Sequence, residues 1–127
     1  MSQPRSIPEG LRAGLNKSGA DLAAGVVVVL DGTNFEGIKL PASADDAQLG
    51  ITMNAIPNGT YGDVQTRGVA VGLSGGAISA GARLGANTAG KLIPIASGKA
   101  FIGIAKTDAS DGDLFELELC GPGARNV

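Results

Sequence analysis

The chain has 127 residues, including 21 Gly and 6 Pro, with 43% apolar residues and a formal net charge of -2. That length fits one domain with its own core, and the charge supplies no broad basic face for nucleic acid. The absence of His removes the commonest general base and metal ligand near neutral pH, and one Cys cannot make an intrachain disulfide.

No stretch approaches the ~20 apolar residues that a bilayer-crossing helix needs. Residues 1–10 lack the apolar core of a signal peptide. The expectation is a protein made and kept in a reducing cytoplasm, with no membrane and no nucleic-acid partner. Four aromatic residues, Phe35, Tyr61, Phe101 and Phe115, are too few for a base-stacking platform.

Residues 1–20 read as an extended N-terminal arm. Pro4 and Pro8 disfavour a helix, and Ile7, Leu11 and Leu15 are its only apolar anchors. Arg5, Arg12 and Lys17 outnumber Glu9, so the arm is basic on a mildly acidic protein. Such a segment either frays or orders against a partner. Residues 21–121 then read as a single β domain, and 122–127 as a short tail. Val26 to Leu30 is a run of β-branched and apolar residues between Gly25 and Asp31-Gly32, the pattern of a fully buried strand. Asp31 to Asn34 is turn chemistry, with Phe35 to Leu40 returning as the hairpin partner until Pro41 ends the pairing.

Ser43 to Gln48 suits one short helical turn, with Ser43 as its cap and Asp45-Asp46 near its positive end. Leu49 to Asn54 reads as a strand, and Asp63 to Leu73 as one long strand or two broken at Gly68. Further strands are predicted at about 82–85, 91–96, 99–106 and 113–119. In the last, Phe115, Leu117 and Leu119 alternate with Glu116 and Glu118, which gives one buried and one wet face. The fold class is therefore all-β: a small Gly-rich barrel or sandwich with at most one short helix.

The chain also echoes itself. Ala24-Gly25-Val26 leads through Leu30, Gly37, Lys39 and Leu40 to Leu49-Gly50-Ile51 and Gly62-Asp63-Val64. Ala80-Gly81-Ala82 leads through Leu84, Gly90, Lys91 and Leu92 to Ile102-Gly103-Ile104 and Gly112-Asp113-Leu114. The echo points to two similar half-units making one domain, or to chance likeness among Gly-rich hairpins.

Motifs that carry chemistry are wanting. Asp108, Ser110, Asp111 and Asp113 crowd oxygens into one loop, but with Gly112 as the sharp turn the acidic positions of a calcium loop fall on Thr107 and Ala109. Asp45-Asp46 reads as an exposed pair at a helix start. Gly72 to Gly76 and Gly98-Lys99-Ala100 lack the ending of a phosphate-binding loop. Cys120 has no His to activate it and reads as a strand-end thiol. No catalytic residue, metal site or cofactor is expected.

The stretch Arg67 to Ala70, with Gly75 to Leu84, Gly90-Lys91-Leu92, Ala96-Ser97-Gly98, Ile102 to Ala105 and Gly112-Asp113-Leu114, resembles the capsid decoration (cement) proteins of tailed bacteriophages over about residues 20–120. The resemblance implies a non-enzymatic β domain on the outer face of an expanded head, usually as homotrimers at local three-fold positions. It implies the major capsid protein as partner, synthesis in the host cytoplasm and a final location in the virion. In that family the arm often contacts the capsid, which makes Arg5, Ile7, Leu11 and Arg12 the candidate capsid-binding residues. The alternative is a small β-barrel module for carbohydrate or cell-surface attachment, against which the shortage of aromatics counts.

Overall fold

A computed structural model describes residues 7–32, 36–43, 46–95 and 98–120. Nine strands run through them: β1 (Ile7–Asn16), β2 (Val27–Leu30), β3 (Gly37–Lys39), β4 (Gly50–Thr52), β5 (Tyr61–Leu73), β6 (Arg83–Ala86), β7 (Leu92–Pro94), β8 (Gly103–Ala105) and β9 (Leu114–Cys120). They form one sheet in the order β1-β3-β2-β4-β5-β9-β8-β6-β7, and an additional β1–β5 pairing closes the first five strands into a barrel. The strands expected from residue 26 onward are present, and β9 buries Phe115, Leu117 and Leu119 as its alternation demands.

From Ile7 to Asn16 the chain is extended and is itself a strand of the barrel, while residues 1–6 lie outside the described residues. β1 runs antiparallel to β5 from Ile7 opposite Val69 to Leu15 opposite Tyr61, and parallel to β3 at Leu15 and Asn16. Asn16 pins its end from a fully buried position. The Asn16 Nδ2 donates to the carbonyls of Ala20 (2.9 Å) and Ile56 (2.8 Å), while its Oδ1 accepts from the Ser18 amide (2.9 Å). There is no helix among the described residues. The helical turn expected at Ser43 to Gln48 falls partly outside the described residues; beside it, the Asp46 carboxylate accepts from the amides of Ala42 (2.7 Å) and Ser43 (3.3 Å). Phe35, Asp45, Ala96, Ser97 and 122–127 lie outside the described residues.

The echo is structural. The second five strands, β5-β9-β8-β6-β7, repeat the register of the first. Leu15 opposite Tyr61 is matched by Leu73 opposite Leu114, and Val27 opposite Ile51 by Arg83 opposite Ile104. Thr52 opposite Val64 is matched by Ala105 opposite Leu117, and the parallel contact Asn16–Ile38 by Ser74–Leu92. Turn bonds agree as well: Gly25 N donates to Thr52 O at 2.9 Å, and Gly81 N to Ala105 O at 2.8 Å. The first unit therefore comprises β1 to the front half of β5, and the second the back half of β5 to β9.

The two hydrophobic cores obey the same equivalence. Leu22, Val26, Val28, Ile38, Leu49, Ile56 and Val64 form the first. Their counterparts, Ile78, Ala82, Leu84, Leu92, Ile102, Ala109 and Leu117, all belong to the second. Gly50 and Gly103 are equivalent, and a Cβ on either would strike the backbone carbonyl of the opposing strand, at Gln65 and Glu118 respectively. Both strands pass that close only because neither carries a side chain there. Two sequence anchors of the echo, Ala-Gly at 24 and 80 and Gly-Ile at 50 and 103, coincide in space. The others do not: Leu30, Gly37 and Lys39 superpose by register on Ala86, Lys91 and Ile93, and Gly62-Asp63-Val64 on Phe115-Glu116-Leu117, three residues beyond the matching Gly-Asp.

Candidate functional site

Alternation sorts β1 into two faces. Gly14 and Asn16 are buried, and a Cβ on Gly14 would press into Ile38 of the first core. Leu11, Ala13 and Leu15 therefore point outward, with Leu11 58% exposed. On the neighbouring strand Tyr61 stands opposite Leu15 and is 57% exposed. The result is an apolar outer face at the β1–β5 seam. Its polar rim includes Glu36, whose Oε1 accepts a hydrogen bond from the Tyr61 hydroxyl at 3.3 Å. The Glu36 charge, partial burial and that hydrogen bond together raise the Tyr61 phenol above its ordinary 10.0.

Of the sequence-derived candidates, Arg5 lies outside the described residues, and Ile7 pairs with Val69 on β1. Leu11 sits on the exposed face. Arg12 faces the other way, half-buried opposite Val64, at the position that Ala70 fills in the second unit. The structure thus puts Leu11 and Arg12 on opposite faces, with Leu11 on the outer face that also carries Tyr61, four residues further along the seam. Its signal was there in principle: the chain's single Tyr opens a long alternating strand.

A surface groove of about 510 Å³ lies on the far side of β2, lined by Val29, Leu30, Lys39, Asp46, Ala47, Gln48 and Leu49. Leu30 is half exposed at its edge, while the Gln48 amide is buried with no partner for either Nε2 or Oε1.

The acidic loop of the second unit is committed to its own turns. Asp108 Oδ1 accepts from the Ala80 amide at 2.7 Å, and Asp113 Oδ2 from the Ser110 amide at 3.0 Å. Cys120 is exposed at the end of β9; partial burial of its sulfur, then the Glu118 charge, push the thiol upward, against a smaller opposing pull from Arg83. A raised thiol is a poorer nucleophile at neutral pH.

The described residues thus form a doubled all-β frame with an exposed apolar face and with carboxylates bound in their own turns. The chain matches the phage cement protein family over residues 13–119, and it belongs to that family. It is accordingly a structural protein of the phage head. Among solved structures, the N base of the head fiber gp8.5 of bacteriophage phi29 is similar in fold, with a TM-score of 0.70 at 16% identity, covering 92% of this chain and 98% of that one. No curated protein sequence matches.

Proposed function

We propose that this protein docks on the outer surface of an expanded phage head, as a homotrimer at local three-fold positions, and stabilises the shell against internal pressure. The observation that carries the reading is the family match across both units, joined to the exposed apolar face of β1 and β5. A brace of this kind needs area and rigidity rather than chemistry. Stable interfaces bury about 1,200–2,000 Å², and linked copies hold more tightly than single ones. Of Arg5, Ile7, Leu11 and Arg12, Leu11 is the anchor in this reading, with Arg5 and Ile7 extending the contact along the chain before it. Arg12 supports the barrel side of the strand.

The test mixes purified protein with expanded heads that lack it. Electron microscopy is expected to show added density at local three-fold positions, size exclusion a mass of three chains, and decorated heads are expected to keep their DNA at temperatures that empty bare ones. Bare heads after mixing, or equal losses with and without protein, would refute the reading. Because residues 7–16 close the barrel, Leu11→Glu is a cleaner probe of the contact than removal of the N-terminal segment.

A further inference from the structure

Tyr61 and Leu114 occupy the same register position in the two units. Each faces a leucine across an antiparallel pair, Leu15 in the first and Leu73 in the second. Their exposures are almost equal, 57% and 54%. A lone exposed apolar side chain is ordinary on any protein. Here the same position is bare in both units and is filled by different residues, so apolarity was kept while identity was not. Other equivalent positions have diverged in both character and burial: buried Val27 is matched by exposed Arg83, and buried Gln65 by exposed Glu118. Two residues further along, on the same face of the strand, each unit carries a carboxylate, Asp63 and Glu116.

We infer that a single chain grips two copies of one repeated shell-protein surface at once, through Leu15–Tyr61 with Asp63 and through Leu114 with Glu116, beside Leu73, which itself packs against the first core. This rests on the head-docking reading above. A duplicated patch fits a partner that presents one surface repeatedly, and a protein shell does so by construction. The matching chemistry on each copy is an apolar socket flanked by a basic side chain. The two patches lie at opposite ends of the 13-residue β5, so their separation is at most about 40 Å at the rise of a β-strand. Rigid linkage over that span makes the second contact intramolecular, which multiplies retention without any new surface.

Binding of Tyr61→Glu, Leu114→Glu and the double variant to expanded heads lacking the protein tests this. Each single variant is expected to bind about a hundredfold more weakly than the parent, and the double variant not at all. Tyr61→Phe and Leu114→Met are expected to bind like the parent, and matching thermal melts show that each variant is folded. Should a glutamate variant unfold, the serine substitution at the same position replaces it. One single variant as damaging as the double, or a double variant that binds normally, overturns two-site gripping while leaving head docking intact. A parent protein that fails to bind heads overturns the docking reading itself.

Discussion

The two units share a register but close differently. In the first, Leu15 N donates directly to Glu36 O at 2.8 Å, and β1 lies along β5 for most of its length. In the second, the equivalent donor and acceptor, Leu73 N and Gly90 O, are held apart by a segment of the first unit. Leu73 N donates to Gly25 O at 2.8 Å, and Gly90 O accepts from Val27 N at 2.7 Å. The start of β2 is thus wedged into the seam that its counterpart keeps shut. Val27 and Ile51 accordingly pack with the second core rather than the first. The two similar units therefore interlock, with part of the first inserted into the second.

The cores solve one packing problem in opposite ways. In the first unit Ile56 is large and Gly62 has no side chain; a Cβ on Gly62 would strike Ile56. In the second, the equivalent residues are Ala109 and Phe115, with the bulk moved from one strand to the other. Phe115→Ala is therefore expected to cost about 3–5 kcal/mol in denaturant unfolding, because its ring is 1% exposed. The sharper experiment transplants the first unit's solution. Adding Ala109→Ile to Phe115→Gly should recover more than half of what Phe115→Gly alone loses. No recovery would mean that the two cores are equivalent in register but not in volume.

That exchange of bulk also explains what was and was not legible in the sequence. The β-branched run of β2 and the alternation of β9 report local burial, so both strands could be placed from composition and period. Turn glycines fixed Gly25 against Gly81. β1 could not be read this way, because its inward positions hold Arg12, Gly14 and Asn16. They suit the barrel through contacts distant in the chain, such as Asn16 with the Ile56 carbonyl 40 residues away. The echo slipped by three residues at its end for the same reason: Gly62 matches Phe115 only when Ile56 and Ala109 are seen beside them. The exposed Tyr61 is not legible from its neighbours, because its meaning lies in its counterpart, Leu114.

Gln48 is a second place where the units part. Its equivalent is Phe101, yet Gln48 is 1% exposed and both of its amide atoms lack hydrogen-bond partners. It lies against the second unit, where a Cβ on Gly85 would stand 3.6 Å from Nε2. Burying an amide without partners destabilises, whereas an apolar side chain of similar size carries no such penalty. Gln48→Leu is expected to stabilise the protein by about 1–2 kcal/mol, seen as a higher denaturant midpoint with an unchanged slope. A lower midpoint would show that water or a partner already satisfies the amide.

The smallest expected effect separates the two exposed patches by charge. Tyr61 is the chain's one tyrosine, so ultraviolet titration reads it alone. The nearby Glu36 carboxylate disfavours the phenolate and accepts a hydrogen bond from the phenol, so ionisation should begin above the ordinary 10.0. Glu36→Gln should lower the midpoint toward the ordinary value, and salt should do so in part, because exposed charges are screened. The sign for stability follows: above about pH 10 the unfolded chain gives up this proton before the folded one does, so stability falls with rising pH across that window. Leu114 has no titrating group, and the second patch should show no such dependence. If Glu36→Gln leaves the Tyr61 midpoint unmoved, the carboxylate does not govern the first patch, and the two are electrostatically alike.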